Sequence, residues 1–474
     1  MISQVLNRAF VLDQLKAIEK HLMNGSARRR APAPGIDLPE ESDIQRTVAE
    51  VRLALTREAA RSSAQSNIGL PAASRRSSPQ PKIDDSCFIS SDPIISLTQS
   101  ALEVYFSHPD SKDKATPPGW KPIGRRNSPE VPPVTDRTLA NLSNGGGSSG
   151  RRVFDKFSIT DIGWVSSLLA MGISKLKSPH PFKSDPPPAV QMSERCRLIV
   201  VGDWGSGLPR AQKVAAAMRS YVDDSLKNGI GCHVIHLGDV YYSGWEYEYR
   251  NRFLNYWPVH IEEKDKVGSW SLNGNHDMYS GGHGYFGTLL MDPRFSRQGG
   301  TSFFKLFNKH WQILGLDTAW DENGLKDPQA SWVKSMVTDN PQRTMIMTHH
   351  QLFSAYENGD GVGKILKSKL GGLLKAGNIE AAIWGHEHRC ILHKQFGDVR
   401  FGRLIGHGGV PVYMEHRKDD AYPDPAIYED RRFIAAGLEK WAYMGFAIFD
   451  FDGPHLGVRY VDENGYLDNT ESYV

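Results

Sequence analysis

The chain has little cysteine: Cys87, Cys196, Cys232 and Cys390 are the four in 474 residues, and none has C-x-x-C spacing. So few thiols in so long a chain read as ordinary reduced side chains, and a disulfide framework is not expected. It also lacks any apolar run near the roughly 18 residues that a membrane-spanning helix needs. Residues 1–23 are interrupted by Arg8, Asp13, Lys16, Glu19 and Lys20, which denies them the unbroken apolar centre of a secretory signal. A cytoplasmic protein without a membrane span is expected. A surplus of one charge sign is lacking too. Lys and Arg number 56 against 54 Asp and Glu, a net of +2, so no specific nucleic-acid partner is implied.

The balance is uneven along the chain. Residues 1–192 carry 25 Lys and Arg against 19 Asp and Glu, and the remainder carries 31 against 35. The basic part alternates amphipathic patches with Arg-, Ser-, Pro- and Gly-rich stretches. Helices are expected over roughly 3–23 and from Ser42 to about Ser62, the second with Ser42 and Gln45 at capping-box spacing. Short apolar patches follow at 94–106 and 158–176. The Gly/Ser run at 144–150 is a flexible spacer by composition, and Pro186-Pro187-Pro188 reads as a stiff linker. Residues 1–192 are thus a partly helical, partly disordered region of unknown role, followed by a second domain over 193–474.

From Arg195 the texture changes. Apolar strand-like runs alternate with helical stretches: Cys196–Val201, a helix from Pro209 to about Lys227, His233–Leu237, a helix over Trp245–His260, and Ser269–Leu272. Units of this kind build a largely parallel sheet, with ligands gathered beyond the carboxyl ends of its strands. A more strand-rich part follows. It has a hairpin over 302–316, helices over 328–337 and 364–376, strands at 343–347 and 380–384, and late strands at 401–406, 444–450 and 456–461. The expected fold class is α/β, with two packed mixed β-sheets flanked by helices.

Five short motifs end strand-like runs in this part: Gly202-Asp203-Trp204-Gly205, Gly238-Asp239-Val240-Tyr241-Tyr242, Gly274-Asn275-His276-Asp277, Ile346-Met347-Thr348-His349 and Gly385-His386-Glu387-His388. Each supplies oxygen or imidazole donors, which suit hard and borderline metal ions. Any one alone is weak; five in order are not.

The set resembles the calcineurin-like metallophosphoesterases, and more closely the purple acid phosphatases, over roughly residues 196–410. The resemblance implies a four-layer α/β/β/α sandwich and a binuclear centre cleaving phosphate monoesters by attack of a metal-bound hydroxide. It implies Asp203, Tyr242 and His388 around an Fe(III) ion, Asn275, His349 and His386 around a divalent Zn, Mn or Fe ion, and Asp239 between them. The superfamily's usual Asp-x-His opening is absent, because Gly205 stands two after Asp203. A tyrosine three after Asp239 is the purple acid phosphatase substitute, and that residue is Tyr242. His276 is implied at the substrate phosphate, with Asp277 either orienting it or capping a local turn. His350 is a further catalytic candidate beside His349. A role for His407, in its glycine-rich run, is a guess.

The expected partner is a phosphate-ester small molecule or phosphorylated substrate. One alternative keeps the site but makes it a phosphodiesterase on cyclic nucleotides or phospholipid head groups, with the loop Ser354 to Gly363 as a specificity lid. Another makes the N-terminal region a partner-binding or targeting module that carries the hydrolase.

Overall fold

The computed structural model describes residues 179–473 apart from 322–323, 339, 357–362, 396, 398, 415 and 437–438, together with 16, 20, 49–57 and 89–107. Most of the helix read over 3–23, the spacer at 144–150, the patch at 158–176 and most of the loop 354–363 lie outside these residues.

The chain divides into two units. In the first, residues 49–57 are helical, inside the span expected from Ser42. α1 (Pro93–Ser107) begins behind Asp92, whose Oδ1 accepts from the Ile94 amide at 3.0 Å. That bond satisfies one of the amides that a helix start leaves without an intrahelical partner.

Among the described residues, the second unit is built on two large sheets. Strands β1 (Ala189–Gln191), β2 (Arg195–Val201), β3 (Gly231–His236), β4 (Val267–Ser271), β5 (Phe304–Phe307), β6 (Trp311–Gly315), β7 (Arg343–Thr348), β8 (Ala381–Trp384), β9 (Cys390–His393), β10 (Phe401–Ile405) and β11 (Ala426–Glu429) are followed by β12 (Gly445–Asp452), β13 (His455–Asp462) and β14 (Leu467–Tyr473). One sheet has the order β14-β13-β12-β2-β3-β4, the other β1-β5-β6-β7-β8-β10-β9-β11. β2, β3 and β4 run parallel, as do β6, β7, β8 and β10, while β12 joins β2 antiparallel. Both sheets are therefore mixed. β1 pairs with β5, so the sheet reaches back to Ala189, ahead of the boundary read at 192/193.

Residue alternation explains the layers. In β2, Leu198 and Val200 enter the core between the sheets, with Ile235, Trp270, Ile313, Met345 and Met347. Ile199 and Val201 are one residue out of phase and fall on the opposite face, as the strand period of two requires. That face is covered by α2 (Pro209–Asn228), which buries Val214, Ala215, Met218 and Val222. Pro209 at its first turn and left-handed Gly229 after its last (φ 63°) set its ends. In β7, Ile346 points away from Met345 and Met347. It packs with Trp332 and Val333 of a helix at Gln329–Val337 and with Leu366 and Leu370 of a helix at Lys364–Lys375. The result is helix, sheet, sheet, helix.

One element departs from expectation. Trp245–His260 is not a single helix but a turn of α-helix at Glu246–Glu248 that widens into a π-helix at Tyr249–Leu254. Its Glu248 carboxylate is used elsewhere, as the site shows.

Candidate metal centre

The five motifs meet at the carboxyl ends of β2, β3, β4, β7 and β8. The loop that follows each strand carries the donors. Among the described residues, the non-glycine positions with positive φ are Asp203 (56°), Asp239 (75°), His386 (75°) and His388 (51°). All four are donor residues. Backbone in that region costs about 1–3 kcal/mol per residue and persists where surrounding structure over-determines it. Close approach also fixes the glycines. A Cβ on Gly274 would meet Asp239 Oδ1 at 2.1 Å, and one on Gly238 (φ 110°) would meet His349 Nδ1 at 2.7 Å.

The donors form two groups on either side of Asp239. On one side the Tyr241 hydroxyl lies 3.0 Å from Asp203 Oδ1, 3.2 Å from Asp239 Oδ2 and 3.1 Å from His388 Nε2. A hydroxyl has one proton and cannot satisfy three acceptors. On the other side Asn275 Oδ1 lies 3.0 Å from His349 Nε2 and 2.9 Å from His386 Nδ1, and the two ring nitrogens are 3.2 Å apart. His349 Nδ1 donates to the Leu237 carbonyl at 3.0 Å, so its Nε2 carries the lone pair. A lone pair facing an amide oxygen repels it unless a cation stands between them. That fixing of the far ring nitrogen is how proteins aim a histidine at a metal.

Burial points the same way. Asp203, Asp239 and Asp277 are at most 1 % exposed. Burial, with Asp203 and Asp277 nearby, pushes the Asp239 carboxyl well above its usual range. Burial and the Asp203 and Asp239 carboxylates hold the Tyr241 phenol high as well. Burial, then neighbouring His350, push His349 and His386 well below the usual imidazole range, so both are neutral donors. The donor set fits two cations.

Tyr242 and Asp277 have these surroundings. The phenol among the carboxylates belongs to Tyr241, one residue before Tyr242. Glu248, fully buried, accepts from the Tyr242 and Ser243 amides at 2.6 and 3.0 Å, and the Arg252 guanidinium lies over the Tyr242 ring at 4.8 Å. Those contacts engage the Tyr242 backbone and ring, while the Tyr241 hydroxyl is the phenol beside Asp203 and Asp239. The Asp277 carboxylate is used by its own surroundings. Oδ2 accepts from the Asp239 amide (2.9 Å) and the Gly274 amide (2.7 Å), and Oδ1 from the Val240 amide (3.0 Å) and the Tyr249 hydroxyl (2.5 Å).

His276 and His350 do lie at the centre. The His276 ring sits between Tyr241 and Tyr279, with centroids 4.6 and 4.7 Å away, and its Nδ1 donates to the Tyr242 carbonyl at 2.7 Å. Its Nε2 has no protein partner among the described residues. Burial lowers its pKa to about 3. His350 Nδ1 pairs with Thr318 Oγ1 at 3.0 Å, and its ring lies 4.8 Å from that of His386. Burial lowers its pKa to about 4. His350, His349 and His386 bring ligand atoms within 4.8 Å of one another. Glu248, Tyr249, Tyr279 and Thr318 escaped the sequence reading, since none belongs to a motif.

This arrangement has a counterpart among known families. Residues 196–390 match the family model of the calcineurin-like phosphoesterases. The chain carries a calcineurin-like phosphoesterase domain. Several solved structures are similar to the chain at low identity. GAP50, titled the anchor in the inner membrane complex of Plasmodium, is 14% identical, covers 58% of this chain and 88% of its own, and has a TM-score of 0.42. A dimetal phosphatase from Danio rerio is 13% identical over 58% of this chain and 98% of its own, at 0.38. A 5'-nucleotidase from Candida albicans is 13% identical over 48% of each chain, at 0.28. No curated protein matches the chain significantly. The match supports metal-dependent hydrolysis of phosphate esters.

Proposed function

We propose that this chain is a two-metal phosphomonoesterase of the purple acid phosphatase kind. The observation that carries the reading is the asymmetry of the donors about Asp239. One side offers a phenol, two carboxylates and one imidazole, a hard set suited to Fe(III). The other offers an amide oxygen and two imidazoles, suited to Zn, Mn or Fe(II). Ions held there would supply Lewis acidity toward the phosphoryl oxygens and a nucleophile at neutral pH.

The protein's own groups do the rest. Asp203, Asp239, Tyr241 and His388 would hold the first ion, and Asn275, His349, His386 and Asp239 the second. Asp277 and Glu248 hold the backbone that aims Asp239 and Tyr241. His276 donates through Nδ1 to the Tyr242 carbonyl, which leaves Nε2 for the phosphate or the leaving oxygen. Burial keeps this imidazole neutral. A bound phosphate dianion adds the charge that favours the imidazolium, so His276 takes up a proton from water as the substrate binds and can hand it to the leaving alkoxide. His350 is placed to meet a phosphoryl oxygen in the same way.

Hydrolysis of phenyl phosphate against diphenyl phosphate by the metal-loaded protein tests the reading, with Asp239→Asn as control. A monoester preference that Asp239→Asn abolishes is expected. A diester preference would move the chain to the phosphodiesterase alternative. Full activity in Asp239→Asn would remove the shared-carboxylate site altogether.

A further inference from the structure

A second polar cluster adjoins the metal centre at His388. His388, Arg389, His407, Tyr413, Glu429 and Tyr443 line one cavity. Its anchor is Glu429, a carboxylate with 1 % of its side chain exposed. Glu429 accepts from Arg389 Nη1 at 2.7 Å, from Arg431 Nε at 2.7 Å and from the Tyr356 hydroxyl at 2.5 Å. His416 Nδ1 stands 3.4 Å from the same carboxylate. Two guanidiniums against one carboxylate leave an excess positive charge. Asp430, which also borders the cavity, is matched by Arg432 at 2.8 Å.

The two arginines are not equivalent. Arg431 has 3 % of its side chain exposed, and its Nη1 donates to the carbonyls of Arg417 and Asp420. It is fully committed to the fold. Arg389 has 23 % of its side chain exposed and lies over the Tyr356 ring at 4.6 Å. Its hydrogen bonds are made by Nη1, and its Nε and Nη2 have no hydrogen-bond partner among the described residues. A guanidinium fixed by a buried carboxylate and an aromatic face loses little further freedom when it binds an oxyanion. Its position is also specific. Arg389 directly follows His388, whose Nε2 meets Tyr241 and Asp203 in the metal centre. The cavity thus borders the metal centre at His388 and carries, one residue further along the chain, a guanidinium that is fixed but only half used.

We propose that Arg389 is a specificity-determining residue that binds a second anionic group, a carboxylate or a phosphate, on the leaving part of the substrate. The inference rests on the phosphomonoesterase reading above. The preferred substrates are then phosphate esters with two separated anionic groups. Glu429 and Tyr356 serve as the frame that aims the guanidinium.

The test compares phenyl phosphate with its ring-carboxylated and ring-phosphorylated analogues on the metal-loaded protein. Both analogues share the second anion, and their difference tells carboxylate from phosphate. The wild type is expected to prefer at least one analogue by about tenfold in kcat/KM, mostly through KM, as one charge-assisted contact allows. Arg389→Gln should bring that ratio close to one, and Arg389→Lys, which keeps the charge without the fork, should restore part of it. Equal constants for all three esters in the wild type would overturn the proposal. So would an Arg389→Gln that slows all three alike while its melting temperature is unchanged. If no ester is hydrolysed, the phosphomonoesterase reading falls, and calorimetric binding of phenylphosphonate and its ring-carboxylated analogue decides the subsite alone. Tighter binding of the second compound, lost in Arg389→Gln, supports it; equal affinities end it.

Discussion

Tyr241 and Tyr242 have the same side chain, yet their surroundings give them opposite work. Spacing from Asp239 pointed to Tyr242, and the side chains that set the two apart, Glu248 and Arg252, lie outside every motif. Loaded with Fe(III), the protein is expected to show a visible phenolate-to-iron absorption band. Tyr241→Phe should remove the band and Tyr242→Phe should keep it. The reverse pattern would return the ligand to Tyr242. Asp277 makes a second case. Four donors converge on its two oxygens, and an asparagine offers one accepting oxygen in place of two. Asp277→Asn should weaken metal binding by about 10–100-fold, the usual effect of losing a group that orients a ligand. Equilibrium dialysis measures this directly, and an unchanged affinity would return Asp277 to the ordinary turn-capping role.

At the level of elements, the helices and strands with strong local signals were legible in advance. α2 was marked by Pro209 and a regular apolar stripe, and β2, β3 and β7 by continuous apolar runs ending at motif residues. β14 was not legible. Its burial alternates between exposed and half-buried, and its sequence, Leu-Asp-Asn-Thr-Glu-Ser-Tyr, is mostly polar, as suits an edge strand. The broken helix at 246–254 escaped because Glu248 serves the Tyr242 loop. The link between α2 and the late strands is likewise invisible in sequence. Arg210 and Glu463, 5 % and 3 % exposed, form a two-pronged pair at 2.7–3.0 Å, and Glu463 also accepts from the Met444 amide. Glu463→Ala leaves a guanidinium buried without its partner and should cost about 3–5 kcal/mol in urea unfolding. Arg210→Met with Glu463→Leu should cost much less, because it leaves no charge unpaired. Equal losses would mean that packing, not the lone charge, sets the cost.

For the whole molecule, the two-layered sheet core followed from the order of strands and helices, whereas the partnership of β2 with β12 did not. No local pattern specifies a pairing between segments so distant. Acid sensitivity is another property of the whole. Burial lowers His233 to a pKa of about 3, with Arg297 adding to the effect, while Trp270 Nε1 donates to its Nδ1 at 3.1 Å. Burial also lowers His393, to about 4. Between the unfolded value near 6.5 and these folded values, the unfolded chain binds the extra protons. The stability contribution is therefore complete above pH 6.5 and is lost as pH falls toward 3, at about 2 kcal/mol for His233 by pH 5. Urea melts at pH 7 and pH 5 should show the drop, and His233→Gln should make it smaller. A stability independent of pH across that window would contradict the buried, neutral imidazole. An enzyme of this build should lose its fold in strong acid before its chemistry fails.

β2 carries Asp203 at its end, and its outer edge is closed by β12, with Arg197 and Asp450 bonded across 253 residues of chain. During synthesis the strand bearing that first donor must wait with one edge open until β12 has left the ribosome. The motifs emerge well before the sheet that aligns them can close. Premature termination just after the last motif would release a chain containing all of the donors but an unfinished sheet. Metal capture should then behave as an all-or-none event tied to the arrival of β12, and not as a gradual gain with each motif.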